Sequence, residues 1–217
     1  MKTKLVLALA FILLASTAVV AQQPTDSSKK NKNNDEIKTL FGKKKVKHGF
    51  YFSLGSGWAQ VNTGDGFYSN SRLMWIMNHS FAWGFGGSGY SNEMMNDNAY
   101  GTVSHGLSGG HGGLMLEWIV FPKQPIHLSI SAMAGCGGIA LTESYNYEYG
   151  DSDFYMEDSD FYLIAEPGAE LELNLFKFMR LGLGASYRFT SPIHLYGFSH
   201  DVGTGLNVGA SLKFGVF

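Results

Sequence analysis

The chain has 217 residues, a formal net charge of −2 at pH 7, and 45% hydrophobic against 16% charged residues. Its single cysteine, Cys136, excludes an internal disulfide and any cysteine-based zinc cluster. The 28 glycines, 16 phenylalanines and 11 tyrosines, set against five prolines, favour an all-β chain over a helical one.

Residues 1–21 have the pattern of a secretory signal peptide. Lys2 and Lys4 precede an apolar run from Leu5 to Leu14, and small residues follow up to Ala21. This order predicts cleavage after Ala21, with an uncleaved membrane anchor as the alternative. No later apolar run is long enough for a transmembrane helix.

Residues 22–48 form a polar, lysine-rich segment without periodicity. They contain eight lysines against three acidic residues, a net charge of +5. This composition predicts a solvated periplasmic tail. Docking of the tail on an anionic surface is the alternative.

From residue 49 onward, apolar and polar residues alternate in segments separated by turn-rich stretches, which is the signature of β-strands. The segments predict eight strands, near 49–61, 67–77, 80–89, 111–121, 126–140, 161–173, 178–190 and 203–216. Short connections join strands 2–3, 4–5 and 6–7, whereas the 3–4, 5–6 and 7–8 connections are long. Only the short 1–2 link, "NTGD", breaks this pattern. Short turns on one side and long loops on the other are typical of outer-membrane barrels, whose short turns are periplasmic.

The polar faces of these strands carry balanced charges. Pairing 161–173 with 178–190 as a hairpin places Glu172 roughly opposite Arg180. A closed barrel in lipid must turn its apolar face outward and can keep ion pairs inside. The predicted lumen ion-pair network consists of Arg72, Glu117, Glu166, Glu170, Glu172, Arg180, Arg188 and Lys213.

A soluble ligand-binding barrel with an apolar interior would show the same alternation. The loop asymmetry, the charge balance and four tryptophans on apolar faces (Trp58, Trp75, Trp83 and Trp118) favour the membrane instead, because such barrels carry aromatic girdles. The sequence therefore predicts an all-β protein whose residues 49–217 form an eight-stranded antiparallel up-and-down transmembrane β-barrel in the cell outer membrane.

The segments "EPGAELELNLFKFMRLGLGASYRF", "IMNHSFAWGFGGSGY" and "LKFGVF" resemble uncharacterised outer-membrane β-barrel proteins of Gram-negative bacteria. In size and strand number the chain is similar to the small OmpX-type barrels. The resemblance covers residues 49–217 and brings no catalytic residues. A terminal phenylalanine resembles the assembly signal of such proteins, but Phe217 has the parity of the polar face rather than the apolar one. Pro167 is a second irregularity, because proline removes a ladder hydrogen bond. A bulge at this proline would move Glu166 off the lumen face.

Two motifs suggest chemistry but sit in unfavourable places. His127 and Ser129 resemble the His-x-Ser pair of outer-membrane lipid A deacylases, yet they lie on the polar face beside a periplasmic turn. His105 and His111 flank a glycine-rich stretch and are expected to be exposed loop residues rather than metal ligands. We therefore predict no catalytic residues, no metal site and no cofactor.

The loops are the predicted binding surface, because the barrel wall offers little chemistry. The long 5–6 connection combines tyrosines with acidic residues, and its alternation suggests strands projecting above the membrane. The candidate binding residues are Tyr145, Tyr147, Tyr149, Asp151, Asp153 and Tyr155. The expected partners are outer-membrane lipid around a monomeric barrel and an extracellular protein or divalent cations at these loops, with no nucleic acid. The sequence thus predicts a non-enzymatic structural or surface-interaction role; the alternatives are a lipid-modifying enzyme, a narrow channel or a soluble ligand-binding barrel.

Overall fold

The computed structural model describes residues 46–98, 101–146 and 152–217. These residues form eight strands: β1 (His48–Val61), β2 (Gly64–Met77), β3 (Phe81–Asn98), β4 (Gly101–Val120), β5 (Ile126–Asn146), β6 (Ser152–Phe176), β7 (Met179–Thr190) and β8 (Gly205–Val216). None of the described segments is a helix long and apolar enough to cross a membrane. The predicted signal peptide, 1–21, and nearly all of the predicted tail, 22–48, lie outside the described residues.

Each strand pairs antiparallel with its neighbour in sequence, and β1 pairs with β8, so that the barrel is closed. The prediction of an eight-stranded up-and-down barrel is therefore confirmed. The β2–β3, β4–β5 and β6–β7 turns lie at one end, here called the turn end. The β1–β2, β3–β4, β5–β6 and β7–β8 connections lie at the other, here called the loop end.

The apolar face of each strand points outward, and the polar face points into the lumen. Leu114, Leu116, Leu171 and Leu183 are each more than half exposed on the outer wall. A closed barrel has no unpaired sheet edge, so its backbone can sit in lipid while these side chains contact acyl chains. A soluble barrel buries its apolar face inside, and that alternative is therefore wrong.

The hairpins at the loop end are longer than predicted. β3 and β4 pair continuously out to Asn98 and Gly101, and β5 and β6 pair out to Asn146 and Ser152. Residues 90–98, 101–110, 141–146 and 152–160, which the sequence assigned largely to loops, therefore belong to strands. The four strands β3–β6 continue beyond the barrel as a sheet, here called the projecting sheet.

The β7–β8 connection, residues 191–204, closes the loop end. Ile193, Leu195 and Val202 are almost fully buried, and Phe198 packs beside them. They contact an apolar cluster from the upper lumen that includes Ala59, Val61, Tyr68, Tyr90, Leu107, Ile139, Leu141, Tyr162 and Ile164. The sequence predicted a long loop here but not that it would plug the barrel mouth.

Phe217 follows the parity predicted for it and faces the lumen at the turn end. Its ring stacks on Tyr51 with a centroid distance of 5.9 Å, and the guanidinium carbon of Arg180 lies 3.8 Å from its centroid. The aromatic ring thus covers the lower end of the lumen charges instead of lying in the outer apolar face.

Candidate functional site

Six lumen side chains meet in one ion-pair cluster, here called the charged cluster: Arg72, Glu117, Glu170, Glu172, Arg180 and Lys213. Lys213 Nζ lies 2.6 Å from Glu172 Oε1, 2.8 Å from Glu170 Oε2 and 3.2 Å from Glu117 Oε2. Lys213 and Glu172 are both fully buried. A buried charge is tolerated when it is paired and hydrogen-bonded, which is the situation of this ammonium group.

Two arginines complete the charged cluster. Arg72 Nη1 lies 3.0 Å from Glu170 Oε2, and Arg180 Nη1 lies 3.2 Å from Glu172 Oε2. The sequence suggested that Glu172 lies opposite Arg180 in the ladder, but the two residues are not paired. Asn174 is paired with Arg180 and Glu172 with Gly182, so the ion pair forms along a diagonal. Three positive and three negative side chains leave the charged cluster neutral.

Glu166 and Arg188 belong to a second group nearer the loop end. Glu166 Oε2 lies 2.8 Å from His111 Nε2, and Glu166 Oε1 accepts hydrogen bonds from Ser186 and Asn207. Arg188 donates to the side chain of Asn207 and to backbone carbonyls, and its guanidinium carbon lies 4.2 Å from the Tyr90 ring centroid. Within the part of the chain that the structure describes, Arg188 forms no ion pair. The eight predicted lumen residues therefore divide into two groups, and Asn207 joins Glu166 to Arg188 within the second.

Pro167 does not displace Glu166 from the lumen. The β6–β7 register is the same on both sides of the proline, from Ala165 paired with Phe189 to Gly168 paired with Ser186. Glu166 stays buried inside the barrel. The suggestion of a bulge at Pro167 that moves Glu166 is therefore wrong.

His111 is also inside the barrel, which corrects its assignment to an exposed loop. Its side chain is fully buried and bridges Glu166 and the Tyr162 hydroxyl, which lies 3.3 Å from Nδ1. A Cβ atom on Gly137 would lie 2.5 Å from the Cβ of His111. Glycine at position 137 therefore makes the space that the imidazole occupies.

His127 and Ser129 do not form a nucleophile–base pair. Ser129 Oγ donates to Glu172 Oε1 at 2.6 Å, and His127 Nε2 lies 3.0 Å from Glu172 Oε2. Both side chains are bound to the same carboxylate rather than to each other. A serine nucleophile needs a base that accepts its proton, and Glu172 instead lies in the charged cluster. Their burial in the lumen also separates them from lipid.

Three carboxylates of the charged cluster, those of Glu117, Glu170 and Glu172, lie close enough together to surround a metal ion. Lys213 Nζ contacts all three and supplies the positive charge that such a group requires. The arrangement therefore fits a structural ion-pair cluster.

The lumen holds two small cavities of about 20 Å³ each. Both are lined by Asn70, Arg72, Ser131 and Ser186. A volume of this size accommodates a single water molecule. Cavities this small agree with an eight-stranded barrel, whose interior is just wide enough for side chains.

The predicted loop-binding residues fall where the structure is described only in part. Tyr147, Tyr149 and Asp151 lie outside the described residues. Asp153 and Tyr155 are in β6 and Tyr145 is in β5, with Tyr145 paired with Asp153. Their positions place them in the projecting sheet.

Two aspartates on β6 hold the β7–β8 connection. Asp158 Oδ2 accepts a hydrogen bond from the Tyr196 N–H at 2.9 Å, and Asp160 Oδ2 accepts one from the His194 N–H at 2.7 Å. The backbone N–H groups of His194 and Phe161 hold the pKa of the Asp160 carboxyl below its usual value. The sequence showed these acidic residues as part of a solvated loop, and no sequence pattern indicates that they bind a segment more than 30 residues away.

A closed barrel with an apolar outer wall and paired charges inside defines a transmembrane β-barrel of the outer-membrane type. The fold matches a major outer membrane protein from Thermus thermophilus with a TM-score of 0.50 and 12% identity, over 78% of this chain and 99% of that chain.

Two further solved structures are similar over most of this chain. Neisserial surface protein A has 11% identity and a TM-score of 0.42, over 79% of this chain and 99% of that chain. Ail, the attachment invasion locus protein of Yersinia pestis, was solved with the heparin analogue sucrose octasulfate; it has 13% identity and a TM-score of 0.40, over 77% of this chain and 97% of that chain. No protein-family model matches the sequence, and no curated protein matches it. The predicted resemblance to outer-membrane barrels is thus confirmed for the fold.

Proposed function

We propose that this protein is a non-enzymatic outer-membrane barrel that binds an extracellular protein through its projecting sheet. The observation that carries the proposal is the mismatch in strand length around the barrel. β5 and β6 have 21 and 25 residues, whereas β7 and β8 have 12 each. A fold that only had to cross the membrane would need about 9–11 residues in a tilted strand.

The projecting sheet has two open edges. The last β2–β3 pair on this side is Phe67 with Ser91, so β3 continues for seven residues, 92–98, without a β2 partner. The last β6–β7 pair is Ile164 with Thr190, so β6 begins 12 residues before its β7 partner, from Ser152. The β7–β8 connection contacts β6 at Asp158, Asp160 and Leu163, so the open part of this edge is 152–157. Unpaired N–H and C=O groups along a sheet edge are a template for another strand.

The composition of the projecting sheet indicates the chemistry of the partner. Residues 143–160 contain seven acidic residues and no lysine or arginine, together with five aromatic residues. Tyrosine provides large contact area with little loss of conformational entropy. We therefore expect an extended or edge-exposed segment of an extracellular protein that carries basic residues, and we expect binding to weaken as salt is raised.

The alternatives have less support. The plug of Ile193, Leu195 and Val202 at the loop end does not favour a channel for solutes. His127 and Ser129 lie in the lumen and share one carboxylate, which does not suit a lipid-modifying enzyme. Neither a channel nor an enzyme explains why four strands extend beyond the barrel.

The test is a hairpin truncation that respects the register. Glu143 pairs with Tyr155 and Ser144 with Phe154, so replacing residues 144–154 by a four-residue Gly-Ser turn shortens the sheet without changing the pairs below it. Asp158 and Asp160 are kept, because they hold the β7–β8 connection. The shortened protein should still show heat-modifiable migration in the outer-membrane fraction and should lose its cross-linked extracellular partners on whole cells.

A matched control shortens the other projecting hairpin, by replacing residues 95–104 above the Met94–His105 pair. We expect this variant to retain more of the cross-links, because it keeps the acidic aromatic segment. If the variant lacking 144–154 folds and keeps every cross-link of the unaltered protein, the proposed binding surface is wrong.

A further inference from the structure

We propose that His194 and His200, on the β7–β8 connection, form a binding site for a divalent transition-metal ion at the loop end of the barrel. Their ring centroids are 4.8 Å apart, with an interplanar angle of 61°. Two imidazoles that bind one tetrahedral ion through nitrogen, at about 2.0–2.1 Å each, place their ring centroids about 5 Å apart. The observed centroid spacing is therefore compatible with both rings binding a single ion.

The Nδ1 atoms of both rings face acceptor oxygens, which favours the tautomer that a metal requires. His200 Nδ1 lies 3.0 Å from the Ile193 carbonyl oxygen, which can only accept, so Nδ1 carries the proton. His194 Nδ1 lies 3.5 Å from Asp160 Oδ2, which is likewise an acceptor. With the proton on Nδ1, each ring offers the lone pair of Nε2 to a metal ion. Metal-binding histidines typically donate their other N–H to a carbonyl or a carboxylate in this way.

Both Nε2 atoms are available. Among the described residues, no hydrogen-bond partner is found for either of them. The His194 side chain is 73% exposed, and His200 is exposed as well. An ion bound here would have two imidazole ligands and would complete its coordination with water or with a group from outside the chain.

The backbone that carries the two histidines is held in place. The Ile193 N–H donates to the His200 carbonyl at 2.9 Å, which closes the connection into a short hairpin-like loop. Ile193, Leu195 and Val202 anchor this loop in the barrel mouth, and Asp160 binds the His194 N–H. The histidines are thus positioned before binding, and ordering them adds little entropic cost.

Imidazole nitrogen favours zinc, copper and nickel over calcium and magnesium, which prefer oxygen. The site is therefore different in ligand type from the carboxylates of the projecting sheet. It also does not depend on the proposed protein partner, because the two histidines lie on another connection.

The experiment titrates Zn²⁺ alone into the full barrel in detergent micelles and measures binding by isothermal titration calorimetry. We expect saturable binding of one ion, with the affinity reduced at least tenfold in either His194→Ala or His200→Ala. His79→Asn is the matched control, because His79 lies in the β2–β3 turn at φ 62°, which asparagine tolerates. This control should bind Zn²⁺ with unchanged affinity, and so should the variant shortened at 144–154.

A second measurement does not depend on the variants. Imidazole ¹⁵N spectra of the metal-free protein should show both histidines as Nδ1–H tautomers, and Zn²⁺ should shift their Nε2 resonances. The proposal is overturned if no saturable binding occurs by about 1 mM Zn²⁺. It is also overturned if the histidine variants bind as tightly as the unaltered protein, or if an excess of Ca²⁺ displaces the ion.

Discussion

Lys213 offers a direct test of whether the lumen charges stabilise the barrel. Lys213→Met keeps the length of the side chain and removes the charge that three carboxylates contact. Two of those carboxylates each keep an arginine, but Glu117 has only Lys213 as an ionic partner among the described residues and otherwise accepts a hydrogen bond from the Tyr51 hydroxyl at 2.9 Å. After the substitution, Glu117 is a carboxylate that is 1% exposed and has lost that cation.

The expected loss follows from the number of partners. Removing one member of a buried ion pair destabilises a protein by about 3–5 kcal/mol, because the remaining charge is uncompensated. Arg180→Met should have a smaller effect, about 1.5–3 kcal/mol, since Glu172 keeps Lys213, His127 and Ser129 as partners. Lys213→Met is therefore expected to be the more damaging of the two.

The decisive measurement is a double-mutant cycle in urea-dependent folding into lipid vesicles, read by heat-modifiable migration. Adding Glu117→Gln to Lys213→Met removes the unpaired carboxylate and should restore about 0.5–3 kcal/mol of the free energy of unfolding. Adding Glu170→Gln instead should restore less, because Arg72 then loses its carboxylate. If the first double variant is as unstable as the sum of its single changes, charge balance does not explain the cluster.

Three further predictions test the two faces and the plug. Leu116→Arg places a charge on the lipid face and should destabilise the barrel by about 2–4 kcal/mol near the bilayer midplane. Its control is Tyr196→Arg at the loop end, where the side chain is 89% exposed. The control should be tolerated when both variants are folded into lipid vesicles at increasing urea. Ile193→Ala should lower the free energy of unfolding by about 2–4 kcal/mol without creating conductance in planar bilayers, because the lumen below it stays filled; a stable open pore would contradict this. Gly137→Ala crowds the lumen and should lower the free energy of unfolding by about 1–3 kcal/mol. Gly138→Ala should have little effect, because its Cβ would meet no atom closer than 3.7 Å. Equal effects of the two substitutions would refute the assigned faces.

The sequence predicted the number, type and direction of the strands because lipid imposes a strict pattern on them. Every second residue of a spanning strand must be apolar, and Leu114, Leu116, Leu171 and Leu183 carry that signal. The pattern ends where the strand leaves the lipid. Segments 92–98 and 152–160 have no apolar face to maintain, so their strands were predicted as loops although β3 and β6 continue through them.

The interior was predictable in membership but not in its contacts. Charge on the polar face was sufficient to place Lys213 and Glu172 in the lumen, since alternation determines the face. It did not indicate that Lys213 would contact three carboxylates or that Arg188 would be held by neutral acceptors, because those contacts depend on the curvature and shear of the closed barrel. His111 was assigned to a loop because the glycines around it resemble a flexible segment. These glycines instead belong to the barrel wall, where Gly137 leaves room for the imidazole ring.

The elements that sequence pattern did not describe lie together at the loop end. The projecting sheet and the β7–β8 connection are both outside lipid, and Asp158 and Asp160 join them by binding the backbone of Tyr196 and His194. Below them, the spanning strands must satisfy lipid on one face and ion pairing on the other, which leaves no free position for recognition. Outside the lipid, neither face of a strand has to meet this requirement, so the side chains there are able to vary with the ligand that they bind. Both proposals therefore use the barrel as a rigid base: one for the open edges of the projecting sheet, the other for His194 and His200.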